Sequence, residues 1–323
     1  MGGLHALCRD SAGTARLSRR ATHGSQHRCA SLKPERSKSS SILDAVPGQL
    51  QLASVGPLRV VTDVPEYPYR DRVFPVFDDE ALVLSDLALD VIETLRPACI
   101  LDLGTGSGII ALRLASHAGS VAAVDINPRC VRFAQTNARA NAIENVRVWT
   151  GDMFQPFEGS RFALVVSNPP FLPVPQGVPF HIAGNGGIDG TTFIRRMLAG
   201  VPRFLSADGC LLFTAISLSR GGRPLVLDLV SQALGAETVV SSADLYRDQL
   251  PLQKFHPLFS GRPGYEEWLT TLRARGFDAL RYMVIRLTTR QLPPLAPRAL
   301  TSTALSGGWA QRLRRYHLWL DTP

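Results

Sequence analysis

The chain has 323 residues, 45% of them apolar and 19% charged, which is ample core-forming material for one large globular domain with appendages. No apolar run approaches the roughly 18 residues of a membrane-spanning helix, and five scattered cysteines without C-x-x-C spacing indicate neither a disulfide framework nor a zinc site. The formal charge of +8 sits at the ends, with eight Lys/Arg against Asp10 and Glu35 in residues 1–41 and five Arg against Asp321 in residues 290–323, so the interior offers no clustered positive charge to a nucleic-acid backbone.

In chain order, residues 1–45 are rich in Ser, Arg and Gly and poor in acids, a composition that predicts a disordered basic leader. A cytoplasmic protein is expected. The same composition suits an organelle transit peptide, so a mitochondrial location is the alternative. Residues 46–97 read as an entry segment. Leu58–Thr62 predicts a short strand, Pro65–Tyr69 a turn, and Asp78-Asp79 the cap of a helix whose apolar face is Ala81, Leu84, Ala88, Val91, Ile92 and Leu95. Pro97 stops it.

From Cys99 onward strands and helices alternate, which predicts an α/β fold with a mostly parallel sheet covered on both sides. The expected strands are Cys99–Leu103, Val121–Val124, Val146–Trp149, Phe162–Val166 and Cys210–Ala215, then one near Glu237–Ser241 and a reversed one near Tyr282–Leu287. Helices are expected at about 108–117, from Pro128, at 191–204 and at 224–234, with Asn127 capping the one from Pro128. Between the last two strands an insert, residues 244–280, carries Tyr246, His256, Tyr265 and Trp268 and is a candidate to line or cover a substrate pocket. Residues 98–289 are thus read as the catalytic domain. Residues 290–323 form a tail that Trp309, Tyr316 and Trp319 would dock on the body.

Two stretches carry the chemistry. The first is Asp102-Leu103-Gly104-Thr105-Gly106-Ser107-Gly108, a glycine-rich turn from strand to helix, where positive φ and close backbone approach suit a ligand. A dinucleotide fingerprint needs G-x-G-x-x-G; here the third glycine comes one residue early, which disfavours a nicotinamide-linked oxidoreductase. Asp125 ends the second strand, where a carboxylate meets a ribose diol, or else merely caps the next helix. Gly151-Asp152-Met153 follows the third strand.

The second stretch is Asn168-Pro169-Pro170-Phe171, at the carboxyl end of the fourth strand. Consecutive prolines make a stiff rim that donates no hydrogen bonds. The Pro169 carbonyl and the Asn168 side-chain oxygen are two fixed acceptors for a planar –NH₂ group, an amide, guanidinium or base amine. Phe171 offers a face for stacking.

With the acid at Asp102 and the glycines at Gly104, Gly106 and Gly108, the turn is similar to that of S-adenosylmethionine (SAM) methyltransferases, which implies SAM as cofactor and a seven-stranded Rossmann-like sheet with an antiparallel last strand. Asn168-Pro169-Pro170-Phe171 resembles the N-P-P-[YF] motif of N-methyltransferases acting on planar nitrogens. Over about residues 74–220, with Gly186-Gly187-Ile188-Asp189-Gly190 and the helix after it, the chain looks most like the release-factor glutamine-N5 branch. Phe171 stands where that branch mostly has Tyr, and the insert is foreign to it. The resemblance implies Asp102 near the cofactor's amino-acid moiety, Asp125 on its ribose and Asp152 on its adenine amine, with Thr105, Ile126, Met153 and Asn168 also in contact. It implies a protein or small-molecule methyl acceptor, with a base amine of RNA or DNA as the alternative. A catalytically dead SAM-binding module is disfavoured by the intact tetrapeptide.

Overall fold

The computed structural model describes residues 49–76, 80–233, 237–293, 295, 308–310 and 312–313. The leader 1–45, the cap Asp78-Asp79 and most of the tail, Tyr316 and Trp319 included, lie outside these residues. Among the described residues no helix is long and apolar enough to cross a membrane.

The chain enters through an antiparallel hairpin, β1 (Leu50–Val55) and β2 (Leu58–Asp63). Only β2 was expected. Gly56 takes positive φ at the turn. Helix α1 (Glu80–Leu95) follows, and Pro97 separates it from β3 (Cys99–Leu103). The next units are α2 (Ile109–Leu114), β4 (Ser120–Asp125), α3 (Pro128–Ala140), β5 (Val146–Thr150) and β6 (Phe162–Ser167). Asn127 caps α3, its side chain accepting from the Arg129 amide at 2.9 Å, with Pro128 at the first helical position. After α4 (Thr192–Phe204) comes β7 (Leu205–Arg220), far longer than expected, then β8 (Arg223–Pro224), α5 (Leu225–Ala233) and β9 (Val239–Asp244). The insert holds β10 (Leu250–Pro251), α6 (Leu252–Phe255) and α7 (Tyr265–Ala274) before β11 (Ala279–Thr288) closes the fold.

The main sheet runs β10-β11-β7-β6-β3-β4-β5, with β9 also on β11 and β8 on β7. Strands β5, β4, β3, β6 and β7 are parallel; β11 is antiparallel to β7. This is the expected mostly parallel α/β sheet with a reversed last strand. Strands β3, β4 and β5 step one way across it and β6, β7 the other, so right-handed crossovers put α2 and α3 on one face and α4 on the opposite one. The direction reverses between the neighbours β3 and β6. Their carboxyl ends therefore open a crevice, the place where ligands bind in such sheets. Both strands bury apolar residues on both faces, as sheet covered on both sides requires.

The hairpin is fixed to the body by α3. Asn137 exchanges two hydrogen bonds with the backbone of Val61, at 2.8 and 3.0 Å, and Asn141 two with Arg59, at 2.9 and 2.8 Å. Two asparagines one helical turn apart thus occupy an otherwise open strand edge. Of the cysteines, Cys130 and Cys210 are free and buried. At the other end Trp309 does dock on the body, its Nε1–H donating to Asp248 O at 2.7 Å.

Candidate active site

The turn after β3 is held from beneath. Asp102 is fully buried; its Oδ2 accepts from the Thr105 hydroxyl at 2.6 Å and from the Ala111 amide at 3.1 Å. Burial raises its pKa to about 7, against those two hydrogen bonds, and its Oδ1 has no hydrogen-bond partner among the described residues. The amides of Gly104 and Thr105 both donate to Val124 O, at 2.9 and 3.0 Å. Gly104, Gly106 and Gly108 all take positive φ. At Gly108 a Cβ would lie 3.0 Å from that of Ala134, so the turn packs against α3, whereas at Gly106 nothing lies within 4 Å and the backbone is open to a ligand.

Asp125 closes β4. Its Oδ2 accepts from the Gly106 amide and its Oδ1 from the Asn127 amide, each at 2.9 Å, and the Cys130 thiol also hydrogen-bonds the carboxylate. Burial raises its pKa against these bonds. Ile126, next to it, is 55% exposed. Asp152 stands at the surface after β5 and gives one oxygen to Arg196 at 2.7 Å, so only part of its acceptor capacity faces elsewhere. Met153 beside it is buried and holds a left-handed φ of 53°.

Asn168 leaves β6 at the same edge. Its Oδ1 accepts from the Thr214 hydroxyl on β7 at 2.5 Å. Pro169 is buried, as is Phe171, whose ring lies 6.0 Å from that of Tyr282. The segment beyond is knitted back on the tetrapeptide. Leu172 N donates to Gly184 O, Gly186 N to Leu172 O and Val174 N to Gly187 O. Gly190 holds a φ of 76°, and a Cβ there would stand 2.4 Å from Phe171 O, which no side chain tolerates.

One cavity joins these parts. It is lined by Gly104–Ser107, Ile109 and Ile110 on one side, by Asn168, Pro169, Phe171 and Leu172 on another, and by Phe74–Val76 with Ala183 and Gly184 above. The structure thus brings Gly104, Thr105, Gly106, Asn168, Pro169 and Phe171 together. Asp102, Gly108 and Pro170 support them from outside the lining, and Asp125, Ile126, Asp152 and Met153 stand along the ends of β4 and β5, the direction in which an elongated ligand would extend. No described lining residue is a base near neutral pH.

The sequence did not indicate Thr214, since a threonine inside an apolar strand reads as β propensity. Nor did it indicate the latch on the entry segment: Asn127 Nδ2 donates to Asp71 O at 2.8 Å, and Arg129 pairs with buried Asp63 and lies over the Tyr67 ring at 4.3 Å. No residue of the insert, a candidate to line or cover the pocket, is among those lining the cavity. The insert braces the loop after Phe171, with Trp268 Nε1–H donating to Ile188 O at 2.7 Å and Arg275 reaching Asp189 at 3.3 Å. Tyr265 is spent on His256, at 2.7 Å.

A family model described as methyltransferase small domain matches residues 79–234. A release factor glutamine methyltransferase of Geobacter sulfurreducens is 32% identical over 192 residues, which are 54% of this chain and 65% of that protein. A putative protein N5-glutamine methyltransferase of Methanocaldococcus jannaschii is 30% identical over 46% of this chain and 74% of its own length. A release factor glutamine methyltransferase of Vibrio cholerae is 36% identical, and the chain spans about half of it, 52%.

Proposed function

We propose that this chain, which belongs to the family of SAM-dependent N-methyltransferases that includes the protein N5-glutamine enzymes, moves a methyl group from SAM to the side-chain amide nitrogen of a glutamine in a protein. The observation that carries this is the shared cavity: Asn168 with its proline rim and the open glycine turn line the same space from two adjacent strands.

The residues present fit SAM. The turn offers open backbone at Gly104 and Gly106, and the half-buried Asp125 at the end of β4 suits a ligand that bears positive charge on sulfur and on its amino group. In this reading Asp125 takes the ribose hydroxyls, Ile126 and Met153 flank the adenine, and the oxygen of Asp152 not used by Arg196 takes the adenine amine. Asp102 acts through the turn it supports. The group supplies an electrophilic methyl; the chain supplies alignment. Asn168 Oδ1 accepts one N–H of the acceptor amide, and the rim carbonyl of Pro169 the other. Holding both hydrogens turns the nitrogen lone pair out of conjugation and toward the methyl. Phe171 and Leu172 wall the acceptor from water, and with no base in the described lining the surplus proton leaves to solvent after transfer. Position and electrostatics dominate such a step.

On this reading residues 46–97 are the entry segment that covers the cavity, residues 98–289 the methyltransferase domain, and the insert 244–280 a brace for the acceptor loop. A competition assay tests the acceptor class. Methyl-labelled SAM is given with equal amounts of a glutamine-bearing peptide, the same peptide with glutamine replaced by lysine, and a short RNA. Label on the glutamine peptide is the expected outcome; label on the RNA would favour the base-amine alternative and overturn the assignment.

A further inference from the structure

We infer that Thr214 is a positioning residue that fixes which end of the Asn168 amide faces the methyl acceptor. The inference rests on the reading of Asn168 as the partner of an acceptor –NH₂.

An asparagine amide has two nearly isosteric ends of opposite hydrogen-bonding character. Turned by half a rotation, Asn168 presents an –NH₂ to another –NH₂, and the site no longer accepts. Something must therefore select the orientation. Thr214 is fully buried in β7, where its strand neighbour on β11 is Val284, and its hydroxyl stands 2.5 Å from Asn168 Oδ1. The hydroxyl donates to Oδ1, so the oxygen end of the amide faces Thr214. Donation from Thr214 occupies one lone pair of Oδ1 and fixes the carbonyl end of the amide. It also polarises the carbonyl, which strengthens a second bond accepted there. The neighbouring Ser167 does not compete for this role, because its hydroxyl is committed to Leu103 O at 2.8 Å. Strand β7 pairs in register with β6 up to Ser167↔Phe213, so Thr214 is the next residue along, level with Asn168 as β6 ends. The register places the hydroxyl there; no loop has to close to bring it.

The test compares Thr214→Val, which keeps the shape and removes the hydroxyl, with Thr214→Ser, which keeps the hydroxyl. Three quantities are read on protein of native melting temperature: single-turnover methyl transfer to a glutamine peptide, SAM affinity, and the side-chain amide signals of Asn168 by nitrogen-15 NMR, identified from Asn168→Ser. The Val variant is expected to transfer roughly tenfold more slowly, the loss of one preorganised hydrogen bond to a reacting-site group. SAM affinity should stay within about twofold, and Ser should recover most of the rate. The Asn168 amide signals should split or broaden in the Val variant and match wild type in the Ser variant. A merely structural threonine would leave rate and amide signals alone; that result overturns the inference. If wild-type protein methylates no glutamine peptide, the reaction reading fails, and Thr214 is then judged on the amide signals alone: unchanged signals in the Val variant overturn it, split ones sustain it.

Discussion

The two walls of the cavity are built by different means. The cofactor wall is made from contacts of short range in sequence: Asp102 to Thr105 and Ala111, Asp125 to Gly106 and Asn127, all within one β-α-β unit. The acceptor wall is made from distant ones. Asn168 is held by Thr214, the loop after it by Trp268 and Arg275, and its far edge by Arg70, whose carbonyl accepts from Ile182 N at 3.0 Å. A wall made of local contacts forms with its unit, whereas one made of distant contacts forms only when the tertiary fold brings its elements together. The difference teaches that cofactor binding and acceptor placement should be separable by mutation.

The largest expected separation is at Asn168. Asn168→Ala should slow single-turnover transfer on the order of 10²–10³-fold, the usual cost of one preorganised polar contact at the reacting centre, with SAM affinity nearly unchanged. Equal losses in rate and in SAM affinity would merge the two walls. Asp125→Ala should do the reverse and weaken SAM roughly 10–100-fold through loss of about 1.5–3 kcal/mol per charge-assisted bond. The turnover rate at saturating SAM should hardly move, which rapid-quench measurements at several SAM concentrations would check.

How much of this was legible follows the same division. The glycine turn, Asp125 and the strands β3 to β6 were readable because spacing and hydrophobic alternation are local signals. Asn168–Phe171 was readable as a motif, for the constraint that two prolines impose is local too. Thr214, the Asn137 and Asn141 bonds to β2, and the bracing by Trp268 were not, because each joins residues far apart in sequence and no single residue type announces its partner. The role of the insert was not legible, since an aromatic-rich segment reads the same whether it lines a pocket or supports the loop that does.

Smaller effects sharpen the comparison. Trp268→Phe removes the hydrogen bond to Ile188 O and keeps most of the apolar packing. About 1 kcal/mol of loop support should be lost, seen as a several-fold lower transfer rate without a change in SAM titration. An unchanged rate would make the insert irrelevant to the acceptor wall. A separate effect, read on stability rather than on rate, concerns Asp102. Its pKa is raised by burial from 3.8 to about 7, so the folded chain retains a proton that the unfolded chain has released. The stability this group contributes is present below about pH 4 and is lost as pH rises toward 7. Asp102→Asn cannot ionise. Without SAM, the melting temperature of the variant relative to wild type should therefore improve between pH 5 and pH 8, and a parallel pair of curves would count against a proton on Asp102.

The central claim is that this cavity delivers a methyl group to an amide nitrogen. Fragmentation mass spectrometry of a glutamine peptide, after single turnover with deuterated-methyl SAM, locates the transferred group by atom. The account predicts the label on the glutamine side-chain nitrogen with wild-type protein, and its near absence with Asn168→Ala at matched SAM saturation. Label on a backbone, carboxyl or hydroxyl position, or equal labelling by the two proteins, would contradict it.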